Sequence, residues 1–246
     1  MIDCRDHPSP NCEPRPAGRA PDMLILHYTA TESAAFAIRW LANPASKVSC
    51  HYVVDDDGGI TRMVPEELRA WHAGVSYWRG ERDINNRSIG IEIQNVGPSG
   101  GYPDFPEAQM RAVVALSADI VRRHRIAPEH VLAHSDVAPF RKIDPGEKFD
   151  WARLAIAGAG IWVEPEPPGH DRPLGLGSAG TEVAELQSLL AAWGYDCPAT
   201  GVFDAATETI VKAFQLHWRP ARADGRGDAS TLSSLRRLLA LRDRIA

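Results

Sequence analysis

The sequence predicts an α/β protein, a mixed β-sheet flanked by helices and followed by a small three-helix unit. Three observations carry this reading. Residues 88–94 (SIGIEIQ) alternate strictly, with Ile89, Ile91 and Ile93 on one face and Gly90, Glu92 and Gln94 on the other. Strand-like and helix-like segments interleave through the first 160 or so residues, the pattern of a sheet packed against helices. A Pro-rich seam then separates a tail with helical periodicity only.

Taken in order, residues 1–20 are polar and Pro-rich and read as an irregular segment. Residues 21–162 form the main unit. Within it, 23–28 (MLILHY) is a short apolar strand, and 31–41 a helix with Phe36, Trp40 and Leu41 near one face. Residues 49–55 and 60–64 flank Asp56-Asp57-Gly58-Gly59, a hairpin signal. Asp104 and Glu107 read as a capping box. It opens a helix marked by Met110, Val113, Val114, Ser117, Ile120 and Val121. Residues 131–133 are another short strand. Residues 163–173 (VEPEPPGHDRP) contain four prolines, which remove backbone donors and favour extended chain, so they read as a stiff linker.

Residues 174–246 carry three helical stripes. Val183, Leu186, Leu189, Leu190 and Trp193 form the first, closed by Gly194. Phe203, Thr207, Ile210, Val211 and Phe214 form the second, behind Asp204 as N-cap. Leu232, Leu235, Leu238 and Leu239 form the third. A unit this small has a thin core by itself.

A net charge of -5 gives no electrostatic case for nucleic acid or an anionic membrane. No stretch approaches the roughly 18 apolar residues of a membrane span. The four cysteines are scattered and form no CxxC pair, so neither a disulfide framework nor a Cys-type zinc site is readable. The N-terminus lacks an apolar signal-peptide core, which favours the cytoplasm; a removed leader would make the location periplasmic.

The chemistry rests on residues far apart in the chain. His27 and His134 both follow apolar strand-like triplets, and Asp144 lies ten residues beyond His134 in a loop. Two imidazoles and a carboxylate are a sound ligand set for Zn²⁺ with a position left for water. On residue type alone, the competing reading of a hydrogen-bonded structural His at a strand end is the commoner one.

Five strings in order change that balance: HYTA at 27–30, SCHYVVDDDG at 49–58, WHAG at 71–74, NNRSIGIEIQN at 85–95 and AHSDVAPFRKIDPGEKFDW at 133–151. Together they resemble the zinc-dependent N-acetylmuramoyl-L-alanine amidases of the type-2 amidase family, which includes peptidoglycan-recognition proteins. The resemblance covers residues 20–155. It implies the type-2 amidase fold and one catalytic Zn²⁺ on His27, His134 and Asp144. It places Glu92 as general base toward the attacking water and Lys142 as the oxyanion-stabilising cation. His51, Trp71 and His72 match groove positions, with a core role the alternative for Trp71, and Arg141 is a candidate partner for a substrate carboxylate. Some family members carry a catalytic Tyr where Cys50 stands here, which shifts the base role onto Glu92; Cys50 as a further ligand is disfavoured because the set is complete without it.

The strings GTEVAELQSLLAAWGY, TGVFDAATETIVKAFQ and DGRGDASTLSSL resemble a three-helix peptidoglycan-binding domain. That module is expected to position substrate or to dock on the catalytic unit, without performing chemistry. A wall-binding module speaks for the periplasm, against the reading of the N-terminus. The implied activity is hydrolysis of the amide between N-acetylmuramic acid and L-alanine in peptidoglycan or muropeptides. The alternative is a non-catalytic recognition protein, but such members typically lose a zinc ligand and all three are present here.

Overall fold

The computed structural model describes residues 2–167 and 172–245. In chain order, the elements begin with β1 (Arg5–Asp6), β2 (Cys12–Pro14), β3 (Met23–Tyr28), α1 (Ala34–Leu41), β4 (Tyr52–Val54) and β5 (Ile60–Arg62). Next come β6 (Leu68–Ala70), β7 (Tyr77–Trp78), β8 (Glu81–Arg82), β9 (Ser88–Ile93), α2 (Glu107–His124) and β10 (Val131–Ala133). The chain ends with α3 (His134–Val137), α4 (Trp151–Ile156), α5 (Thr181–Trp193), α6 (Ala205–Trp218) and α7 (Ala229–Ile245).

Six strands form one mixed sheet in the order β1-β5-β4-β9-β3-β10. The hairpin β4–β5 is antiparallel, as its Asp-Asp-Gly-Gly turn predicts, while β4, β9, β3 and β10 run parallel. Parallel strands need covered faces, and both faces here are covered. Leu24, Leu26, Ile89, Ile91 and Ile93 pack with Met110, Val113, Leu116 and Ile120 of α2. On the other face, Met23, Ile25 and Leu132 share one apolar cluster with Val183, Leu186, Trp193, Phe214 and Trp218. The three-helix unit therefore does not rely on a thin core of its own; it completes the core beneath the sheet.

Several expectations need correction. Residues 1–20 are not irregular throughout: β1 extends the main sheet beside β5, and β2 pairs with β6. Helix α1 starts at Ala34 with Ser33 as N-cap accepting the Phe36 N–H. That phase buries Ala34, Ala37 and Leu41 and turns Phe36 and Trp40 outward. No capping box opens α2. Pro106 occupies the N-cap, Asp104 pairs with Lys148, and Glu107 pairs with Arg153 and Arg111. Of the expected linker, residues 168–171 lie outside the described residues. Its first residues are fastened rather than free: Val163 is buried, and Ser230 and Ser233 of α7 donate to the Glu166 carbonyl and carboxylate.

The junction is dense. Trp78 meets the Tyr195 ring edge-on, Arg82 pairs with Asp196, and the Arg79 N–H donates to the Gly194 carbonyl. Gly194 has φ +155°, and a Cβ there would lie 2.5 Å from the fully buried Trp78 ring. Gly194→Ala is therefore expected to destabilise the protein by about 1–3 kcal/mol, as overpacking does. A thermal melt checks this; an unshifted midpoint would mean that the junction yields freely.

Candidate active site

The register of the parallel strands assembles the site. His27 on β3 pairs directly with Glu92 on β9, so the two share one face about 4.8 Å apart. Ala133 of β10 pairs with Leu26, which sets His134, the next residue, beside His27. Three parallel strand ends thus deliver two imidazoles and a carboxylate to one place, the carboxyl-end position where α/β sheets hold ligands. The loop after α3 brings Asp144, fixed by the Ser135 N–H donating to its carbonyl at 3.1 Å.

His27 Nδ1, His134 Nδ1 and Asp144 Oδ2 form a triangle with sides of 2.8, 3.0 and 3.2 Å. Tetrahedral zinc ligands bonded at roughly 2.0–2.1 Å place their donor atoms about 3.3 Å apart, so the triangle, slightly tighter than that, needs only a small widening to hold a zinc ion. The second nitrogen of each imidazole supports this. His134 Nε2–H donates to the Ala73 carbonyl at 3.2 Å. His27 Nε2–H donates to His72 Nδ1 at 3.0 Å; His72 Nε2–H donates to Ser88 Oγ, and the Ser88 hydroxyl donates to the Ile84 carbonyl. That chain leaves the His27 Nδ1 lone pair free for a metal, the arrangement that ligating histidines generally show.

Electrostatics agree. Burial, then the neighbouring His134, pushes His27 down to about 4, so it is neutral at pH 7 as a ligand must be. Burial, then the Asp144 carboxylate, raises Glu92 well above its usual range, while Lys142 opposes the rise. Glu92 Oε2 is buried and has no hydrogen-bond partner among the described residues. A cation in the triangle would counter both causes of that rise.

The centre opens into a cleft of about 390 Å³. Glu92, Lys142, Arg141, Trp71, His72 and Trp40 all line it. Trp71 is half-buried in the cleft wall and donates through Nε1 to Glu13. Arg141 is largely occupied, its Nη2 donating to the Ala73 and Val75 carbonyls and its Nε to Val75. It braces the same carbonyl that receives His134. His51 does not reach the cleft. It is fully buried, its Nδ1 accepts the Gly90 N–H, and its Nε2 meets the Leu68 carbonyl and Arg15. Its alternating strand position pointed to the right side of the sheet, but β6 and the N-terminal segment cover it there. His72 is an orienter of His27, seated on Gly90, where a Cβ would come within 2.6 Å of its ring. Cys50 packs with α1 residues and donates to the Tyr52 carbonyl, away from the ligand triangle.

Two contributors were missed in the sequence. Trp40 reaches the cleft because the Ser33 cap rotates α1. Asn85 fixes the 71–74 loop, its Oδ1 accepting the His72 and Ala73 N–H groups; the only signal for it was its place in the 85–95 string.

Sheet, cleft and ligand triangle define an α/β protein with a metal-type centre at its parallel strand ends, joined to a docked helical module. A family profile for N-acetylmuramoyl-L-alanine amidase matches residues 17–147, and one described as "Putative peptidoglycan binding domain" matches 179–235. The chain is 36% identical over 229 residues to the N-acetylmuramoyl-L-alanine amidase AmiD of Escherichia coli (strain K12), covering 88% of this chain and 82% of that protein. It is 31% identical over 171 residues to the 1,6-anhydro-N-acetylmuramyl-L-alanine amidase AmpD of Enterobacter cloacae, covering 63% and 89%. Among solved structures, E. coli AmiD in complex with anhydro-N-acetylmuramic acid-L-Ala-D-gamma-Glu-L-Lys matches with TM-score 0.76 and 34% identity over 92% of each chain. AmpDH3 of Pseudomonas aeruginosa with anhydromuramic pentapeptide matches with TM-score 0.74 and 32% identity, over 92% and 94%. The chain belongs to the N-acetylmuramoyl-L-alanine amidase family, and these relatives support the enzyme over the non-catalytic recognition protein. No helix among the described residues is long and apolar enough to cross a membrane.

Proposed function

We propose that this chain hydrolyses the amide between the lactyl group of N-acetylmuramic acid and L-alanine of a muropeptide, at a zinc centre held by His27, His134 and Asp144. The observation that carries the site assignment is the triangle of ligand atoms, with an acceptor waiting for the second nitrogen of each imidazole. When bound, zinc supplies a Lewis acid that polarises the scissile carbonyl and acidifies water. Glu92, with no partner for Oε2 among the described residues and lining the cleft, takes the proton of the attacking water. It returns that proton to the alanine nitrogen as the carbon–nitrogen bond breaks. Lys142 lines the same cleft and its ammonium stabilises the oxyanion of the tetrahedral intermediate. Trp71 and Trp40 offer flat apolar faces to sugar or peptide, and Arg141 holds the loop beneath them. The products are a muramyl carboxylate and a free peptide beginning with L-alanine.

Chelation tests the metal assignment. Removal of zinc is expected to abolish turnover, with readdition restoring it, while the fold persists, because the apolar clusters that pack both faces of the sheet do not include the ligand residues. Elemental analysis should find one zinc per chain and a large loss in His134→Ala. Full zinc in that variant would refute the ligand set.

A further inference from the structure

Asp136 lies two residues after His134, is fully buried and is not a member of the ligand triangle. Its carboxylate accepts three hydrogen bonds. The Ala133 N–H donates to Oδ2 at 2.8 Å, across the start of α3. The Tyr195 hydroxyl donates to Oδ1 at 2.6 Å. His217 Nδ1–H donates to Oδ2 at 2.7 Å. The last two donors belong to the C-terminal module, the first just beyond α5 and the second on α6.

We propose that Tyr195 and His217 are positioning residues for the metal centre, acting through Asp136 on the short helix that begins with His134. This rests on the zinc reading above and assigns to the module a role in the reaction that wall binding does not require.

The geometry supplies the reason. Helix α3 has only four residues, all buried, so its intrahelical hydrogen bonds hold it weakly. A buried carboxylate needs its donors, and losing them leaves an expensive unpaired charge. The Asp136 side chain also ties the backbone at Ala133, so its position sets where β10 gives way to α3. His217 is itself immobilised: its ring lies between Trp151, 3.6 Å away, and Trp218, 3.5 Å away, both stacked. Burial lowers its pKa, which favours the neutral ring donating through one nitrogen. Tyr195 is held edge-on by Trp78. Aromatic rings of the sheet unit and of the module thus clamp the two donors, and the donors clamp the segment that carries His134.

The test uses the zinc-loaded full chain titrated with a competing chromophoric chelator, at a temperature well below every variant's melting midpoint. Partners bonded directly to a metal ligand are worth typically ~10–100-fold in affinity. Acting one link further out, Tyr195→Phe with His217→Ala is expected to weaken zinc binding by roughly 10-fold. On a small anhydromuramyl tripeptide the double variant should lose kcat with KM little changed. His217→Asn, whose amide keeps a donor, should recover part of both losses. Tyr195→Phe alone covers the case in which the double variant does not fold, and should weaken zinc binding measurably. Asp196→Asn breaks the Arg82 ion pair at the same junction without touching Asp136, and should match wild type. Wild-type zinc affinity and kcat in the double variant, even with a lowered melting point, would overturn the inference alone. Failure of the wild-type chain to hold zinc would overturn the zinc reading along with it.

Discussion

Replacing Glu92 by Gln is expected to lower kcat by ~10²–10⁴-fold while leaving bound zinc unchanged, the range for loss of a general base. The substitution keeps the shape of the side chain and removes its basicity. Glu92 pairs in register with His27, lines the cleft and carries a buried oxygen with no partner among the described residues. With that oxygen unpartnered among the described residues, the effect should fall on turnover rather than stability. Glu92 is not part of the ligand triangle, which is why the metal should remain. Steady-state kinetics on a muropeptide, with zinc content measured on the same preparation, decides the matter. Near wild-type turnover would remove Glu92 from the mechanism; loss of zinc in step with activity would recast it as a ligand.

Lys142→Ala is expected to lower kcat by roughly 10²–10³-fold, as removal of an oxyanion donor does. Lys142 is half-buried in the cleft wall, and its charge acts on both Glu92 and His27. A solvated loop lysine would have neither property. KM should move much less than kcat, because the ammonium meets charge that develops only on the way to the intermediate. An unchanged kcat would return Lys142 to the solvated loop.

The features legible in the sequence share a local signal. The alternation at 88–94 identified β9 and put Glu92 on the face opposite the isoleucines, and the Asp-Asp-Gly-Gly turn marked the hairpin. What escaped depends on partners distant in sequence. The phase of α1 turns on whether Thr31 or Ser33 begins the helix, and that choice decides whether Trp40 is core or cleft. Asp104 was free to cap α2 until Lys148 claimed it and Pro106 took the cap position. His51 has the strand position of a groove residue, but Arg15 and β6 close over it. The ligand triad was recognisable only through the ordered strings, since 107 residues separate His27 from His134 and only parallel pairing brings them together. Nothing local tied His217 to Asp136, because the link crosses from one unit to the other.

Amide hydrolysis between the muramyl group and L-alanine is tested most directly by the mass of the products formed from an anhydromuramyl tripeptide. Two species are expected, the intact anhydro-N-acetylmuramic acid and a free tripeptide beginning with L-alanine, their summed mass exceeding the substrate by one water. Cleavage within the peptide, or between sugars when a disaccharide substrate is supplied, would contradict it.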